Sequence, residues 1–216
     1  MIKSNFDKLA PWYSFLEKYS FGNKLQVCRI MHLLELTNAK DILILGDGNG
    51  RFLEAFLNIN PNANIISFDF STKMLELAKR RISFNPDNNF KIKFLLADAL
   101  IFDFPFNCYD LIVTNFFLDC FTEKELDQLF PRVSASLKNN GQWLIGDFNY
   151  PGSNLKNIIS CVGLSAMYLF FKIFTGISAL KLVESSPYFI KSGYKLKEEK
   201  FILGSFLTSK LWIKSN

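Results

Sequence analysis

Residues 41–53, DILILGDGNGRFL, constrain the fold more than any other stretch of this chain. A short apolar run ends in three glycines, Gly46, Gly48 and Gly50, and then resumes as an amphipathic pattern. Glycine accepts positive φ and lets a ligand approach the backbone closely. A strand ending in such a turn and feeding a helix presents bare N–H groups at the switch point of an open sheet. The loop therefore reads as a nucleotide-type site. Its spacing is not the dinucleotide G-x-G-x-x-G, because Arg51 holds the third place.

The rest of the chain supports an open α/β sheet. Apolar runs at 41–45, 64–68, 91–97, 109–114 and 142–147 read as five strands. Helical patterns over roughly 49–58, 72–83 and 122–138 separate them, the last closing at KNNG with Gly141 as its stop. Continuous apolar strands alternating with helices predict a mostly parallel sheet covered on both faces, a three-layer sandwich. Residues 11–37 read as two helical segments broken at SFGN. Residues 194–214 read as two strands around a turn near Gly204, forming an antiparallel edge. The chain is expected to be one domain. It comprises a helical cap (1–37), a cofactor-binding core (38–150), a helical lid insertion (151–180) and a terminal helix with the strand pair (181–216).

Two carboxylates stand at the ends of successive strands. Asp69 closes the second strand, where it can accept both hydroxyls of a ribose. Asp98 follows the third, where it can accept from an exocyclic adenine amine while the Ala99 backbone meets a ring nitrogen. Asp69 could equally cap the helix that follows it.

The pieces ILILGDGNGRFL, ISFDFSTKMLELAKRR, FLLADAL, YDLIVTNFFLDCF and SLKNNGQWLIGDF together resemble the class I S-adenosylmethionine-dependent methyltransferases. The stretch FDKLAPWYSFLEKYSFGNKLQ is similar to the N-terminal cap of the ubiquinone and menaquinone C-methyltransferases. The resemblance implies a Rossmann-like, seven-stranded sheet with its last strand antiparallel. It implies S-adenosylmethionine as cofactor and S-adenosylhomocysteine as product. It sets Gly46, Gly48 and Gly50 against the methionyl part and Asp69 on the ribose. It sets Phe70 and Met74 against the adenine, and Asp98 and Ala99 on the adenine edge. Asn115 and Phe116 would line the cofactor and its methyl. One position departs from the family. Ile44 stands where an acidic residue usually precedes the first glycine by two, and Asp47, inside the loop, is the candidate replacement for that charge.

A sulfonium methyl is already electrophilic, so the enzyme must mainly align a nucleophile and exclude water. A general base helps when the nucleophile is a phenol or an acidic carbon. The candidates are Asp147 at the tip of the fifth strand, Asp119 after the fourth, and Tyr13 and Tyr150 as hydrogen-bonding partners of a substrate oxygen. The single histidine, His32, lies in an apolar helical pattern and reads as structural. The lid brings Met167, Tyr168, Phe170, Phe171 and Phe174, which suit a small apolar or aromatic acceptor, quinone- or lipid-like.

Charge and cysteine content narrow the alternatives. The net charge is +5, and residues 151–216 carry nine lysines against three glutamates. That basic third would favour peripheral association with an anionic membrane surface. No apolar run reaches the about 20 residues of a membrane span. Lysine outnumbers arginine 20 to 5 and no basic-aromatic stripe appears, so a nucleic-acid partner is not expected. The four cysteines, in no metal-binding spacing, read as reduced core residues of a cytoplasmic protein with no metal site. Two alternatives remain open: a cofactor-binding protein without catalysis, which Ile44 favours, and an aminopropyltransferase, which the lone Asp119 disfavours.

Overall fold

The computed structural model describes residues 23–84, 90–149 and 183–215. In chain order these form α1 (Lys24–Ile30), a 3-10 turn (Leu33–Leu36), β1 (Asp41–Leu45), α2 (Arg51–Leu57), β2 (Asn64–Asp69) and α3 (Thr72–Ser83). Next come β3 (Lys91–Leu96), β4 (Tyr109–Val113), a 3-10 turn (Leu118–Cys120), α4 (Glu123–Ser136) and β5 (Leu137–Phe148). The chain closes with α5 (Ser186–Lys191), β6 (Tyr194–Ile202) and β7 (Leu207–Lys214). The seven strands form one sheet in the order β3-β2-β1-β4-β5-β7-β6. Strands β1 to β5 are parallel, and β7 is antiparallel to both β5 and β6.

Side chains alternate across the strands, so each strand feeds two cores. Leu43, Leu45, Ile112, Trp143 and Ile145 meet Leu129, Phe130 and Val133 of α4 and Phe189 of α5. Ile42, Ile44, Leu111, Val113 and Leu144 meet Phe52, Leu53 and Phe56 of α2. The first core is aromatic. Phe130 stacks on Trp143 at 5.0 Å, Phe189 stacks on Trp212 at 4.9 Å, and Phe189 meets Phe130 edge-on at 4.9 Å. Such pairs add about 0.5–1.5 kcal/mol each beyond area burial. The Trp143 indole also donates to Thr114 Oγ1 at 2.8 Å, which satisfies its one buried polar atom.

Four side chains lock the N-terminal segment to the far strands. Fully buried His32 lies 3.3 Å from carboxylates of both Glu35 and Glu198, and its other ring nitrogen is 3.1 Å from the Ser209 carbonyl. Lys200 Nζ reaches the same two glutamates at 3.0 and 3.2 Å.

Local expectations changed in four places. The helical pattern expected over 122–138 ends at Ser136, and the strand begins at Leu137. Gly141 is not the stop: Asn140 takes the positive φ, of 59°. Gly141 instead makes room, since a Cβ there would sit 2.7 Å from the Leu137 side chain. The terminal strand pair forms around Leu203, Gly204 and Ser205, all with positive φ, but only β6 lies at the edge, with β7 inserted beside β5. Cys108 is exposed rather than in the core, while Cys28 is buried and Cys120 half-buried. The first of the two N-terminal helical segments, Tyr13, Tyr150, Cys161 and the 151–180 insertion lie outside the described residues.

Helix α4 opens with a capping box. Thr122 Oγ1 accepts from the Glu125 N–H, and the Glu125 carboxylate accepts from the Thr122 N–H at 2.8 Å. Thr122→Ala is expected to cost about 1 kcal/mol, and Thr122→Ser should retain most of it. Urea denaturation of the three proteins checks this, and equal midpoints for wild type and Thr122→Ala would refute it.

Candidate functional site

The strand order reverses between β1 and β4, so the cleft above their C-terminal ends is the switch point of the sheet. The glycine loop lies there, and each glycine meets a separate demand. All three have positive φ: 71° at Gly46, 62° at Gly48 and 79° at Gly50. A Cβ on Gly46 would sit 2.4 Å from the Phe117 ring, and one on Gly50 would sit 2.9 Å from Ala78 Cα in α3. Gly48 faces Met74, whose sulfur lies 3.9 Å from where a Cβ would be.

Asp47 turns inward. Its two carboxylate oxygens accept the Phe52 and Leu53 N–H groups of α2 at 3.2 and 3.0 Å. Burial pushes its pKa up to about 6; those two N–H groups and Arg29 oppose the rise, and Asp69 adds to it. The protein thus fills the N-terminal donors of α2 with its own carboxylate. The sign of the pH effect follows. Folded Asp47 holds its proton to higher pH than an unfolded aspartate. Its contribution to stability is therefore fully present below the ordinary aspartate pKa, near 4, and is lost as pH rises through about 6. Asp47→Asn is expected to remove this falling component between pH 4 and 7. Denaturation midpoints across that range check it, and parallel pH curves for the two proteins would refute it.

Asp69, at the tip of β2, braces the loop. Oδ2 accepts the Gly48 N–H at 3.2 Å and Oδ1 accepts the Ser71 N–H at 2.9 Å. Ser71 rather than Asp69 caps α3, its Oγ accepting the Met74 N–H at 3.2 Å. Phe70 is half-buried beside it and Met74 is buried. After β3, Asp98 accepts the Leu100 N–H at 2.9 Å and remains half-buried, while Ala99 is buried.

Beyond β4 stands Asn115, 5% exposed. Neither its Oδ1 nor its Nδ2 has a hydrogen-bond partner. An unsatisfied buried amide is costly. Gly146 in β5 makes the space, since a Cβ there would sit 2.8 Å from Asn115 Oδ1. Phe116 has φ of 53° and donates its N–H to the Gly146 carbonyl at 2.7 Å. Its ring lies 5.3 Å from that of Phe148 and 5.2 Å from the Arg29 guanidinium.

Asp119 and Asp147 are both buried, each 6% exposed. Burial, reinforced by the Asp119 charge, pushes Asp147 well above the usual carboxylate range, against its hydrogen bond from the Phe148 N–H and the pull of Lys210. Asp147 lines a small cleft with Phe148, Val183, Ser185, Thr208 and Lys210. The nearby thiols stay protonated: burial and Asp147 push Cys28 up to about 12, and burial and Asp119 push Cys120 well up. Tyr13 lies outside the described residues.

Sequence reasoning missed Lys210, Thr208 and Arg29. The first two reach the site only because β7 pairs with β5, Thr208 opposite Asp147. Arg29 carried a signal. Leu25, Cys28, Arg29 and His32 fall at i, i+3, i+4 and i+7, and all four are buried.

Residues 42–141 match a family described as a methyltransferase domain. The chain is 34% identical over 134 residues to the demethylmenaquinone methyltransferase of Thermus thermophilus, covering 60% of this chain and 59% of that one. It is 28% identical over 154 residues to the ubiquinone/menaquinone biosynthesis C-methyltransferase UbiE of Wigglesworthia glossinidia brevipalpis, covering 70% of this chain and 60% of that one. The chain thus spans about 60% of the length of these curated relatives. Human N-acetylserotonin methyltransferase, solved in complex with S-adenosylmethionine, shares the fold with a TM-score of 0.65 at 16% identity, over 98% of this chain and 58% of that one. Residues 42–141 thus match a methyltransferase domain, and the chain is similar in sequence to ubiquinone and menaquinone C-methyltransferases and in fold to a solved methyltransferase.

Proposed function

We propose that this chain transfers a methyl group from S-adenosylmethionine to a small apolar or aromatic acceptor of quinol type. The observation that carries the reading is the arrangement of carboxylates around the glycine loop. Asp47 occupies the α2 N-terminal donors that a dinucleotide fold would give to a pyrophosphate. Asp69 and Asp98 follow at the next two strand ends. Such a site repels phosphate and suits a nucleoside with a cationic tail.

The residues present fit that ligand. Asp69 accepts the ribose hydroxyls. Asp98 and the Ala99 backbone meet the adenine edge, with Phe70 and Met74 against its ring. Gly46, Gly48 and Gly50 let the methionyl tail lie on the backbone, and the Asn115 amide supplies both a donor and an acceptor at its end. Bound there, the cofactor supplies an electrophilic methyl. Phe116 and Phe148 present aromatic faces to the acceptor and keep water out. Asp147, beside Asp119, holds or takes the acceptor's proton, and Tyr13 is the third candidate for contact with it. The relatives named for quinone substrates support the acceptor class. No helix among the described residues is long and apolar enough to cross a membrane. The basic C-terminal third suits an acceptor drawn from an anionic membrane surface.

The test is calorimetric titration with S-adenosylmethionine and S-adenosylhomocysteine, followed by incubation with reduced naphthoquinols and mass detection of methylated product. Micromolar binding and a product heavier by one methylene are expected. Binding without turnover over a broad quinol and phenol panel would favour the non-catalytic reading that Ile44, sealed in the apolar core, keeps open. Absence of binding would overturn the proposal.

A further inference from the structure

We propose that Arg29 reads the carboxylate of the cofactor's methionyl tail, so that this chain grips the tail by its anionic end rather than by its ammonium. The inference rests on the S-adenosylmethionine reading above and names a contact within that site.

Arg29 occupies the last turn of α1 and is 4% exposed. Its guanidinium lies 5.2 Å from the Phe116 ring centroid and close enough to Asp47 to oppose the rise in that residue's pKa. Phe116 ends the β4 side of the cleft and Asp47 belongs to the glycine loop, so the cation stands where those two walls meet. Strand order then fixes what it faces. With the adenine over the β3 and β2 ends and the ribose over Asp69, the tail runs on across β1 towards β4. That course leads to the corner held by Arg29, Asn115 and Phe116.

Charge selects the end of the tail. The tail carries one ammonium and one carboxylate. Ile44, 1% exposed within the apolar cluster under α2, offers the ammonium nothing. The Asp47 carboxylate is turned away onto α2. A guanidinium, by contrast, is planar and always charged, and its fork matches a carboxylate with two parallel hydrogen bonds. The Phe116 ring, 5.2 Å away, also attracts the guanidinium and holds it at this corner.

The test compares S-adenosylmethionine with its decarboxylated analogue, which keeps the adenosine, the sulfonium and the ammonium. Both are titrated by calorimetry into wild type, Arg29→Met and Arg29→Lys, with thermal melting as a check on folding. Wild type is expected to prefer S-adenosylmethionine by about 30-fold, the range of a hydrogen bond to a charged group. Arg29→Met should bring that ratio to about one, chiefly by weakening the carboxylate-bearing ligand, and Arg29→Lys should keep part of it. A wild-type ratio near one, or a wild-type ratio retained in Arg29→Met, overturns the proposal while leaving the methyltransferase reading intact. Failure of wild type to bind either ligand overturns both. If Arg29→Met does not fold, the wild-type ratio and Arg29→Lys still decide.

Discussion

Gly50→Ala is expected to lower the stability of this protein by about 2–6 kcal/mol. Two costs add. Gly50 has φ of 79°, a region where a residue with a Cβ is strained by about 1–3 kcal/mol. The new methyl would also sit 2.9 Å from Ala78 Cα, and that atom belongs to the backbone of α3 and cannot rotate aside. The glycine loop and α3 must then separate, at a further cost of about 1–3 kcal/mol. For a chain of this size the melting temperature should fall by about 4–24 °C. Gly204→Ala is the matched control. Its φ is 63° and a Cβ there would meet nothing within 4 Å, so it carries the conformational cost alone. Equal losses in the two variants would refute the packing argument, and an unchanged melting temperature in Gly50→Ala would refute both parts.

Asp69→Ala should weaken S-adenosylmethionine binding at least about 100-fold, or about 2.7 kcal/mol. One side chain serves two ends. Its carboxylate accepts the Gly48 and Ser71 N–H groups, which hold the loop open and start α3. Under the proposed function it also accepts the ribose hydroxyls. Alanine removes the ligand contact and leaves two backbone donors without their acceptor, at about 1–3 kcal/mol for each that stays buried. Asp69→Asn keeps one carbonyl oxygen and should fall between alanine and wild type. Calorimetry gives the affinity and thermal melting gives the stability. Retained affinity in Asp69→Ala would remove this residue from the site. Lost stability with intact affinity would make it a brace of the loop alone.

Much of the architecture was legible because its causes are local. The run DILIL with its three glycines, the apolar strands that follow, and the 3.6-residue periodicity of STKMLELAKRR reproduce β1, β2, β3, β4 and α3 to within a residue or two. The three loop glycines were legible because positive φ is a property of single residues. The start of β5 was not. Helix and strand meet at Ser136 and Leu137 with no break between them, and KNNG is an irregularity inside the strand rather than a stop. The position of β7 was hidden for another reason. Two strands and a tight turn specify a hairpin, but not which of the two joins the sheet.

The candidate site divides in the same way. The sequence by itself determined where the glycines and the strand-end carboxylates fall, because a strand, a turn and a helix start are written within about ten residues. Only the tertiary structure decided that Asp47 faces inward onto α2, that Asn115 is left with an unpaired amide beside Gly146, and that Lys210 and Thr208 arrive next to Asp147. It also decided that Arg29 stands over Phe116 at the mouth of the loop. The Asp47 contacts span only five and six residues and depend on burial, while the others depend on contacts across tens of residues of chain. For the long-range contacts no local pattern names the partner.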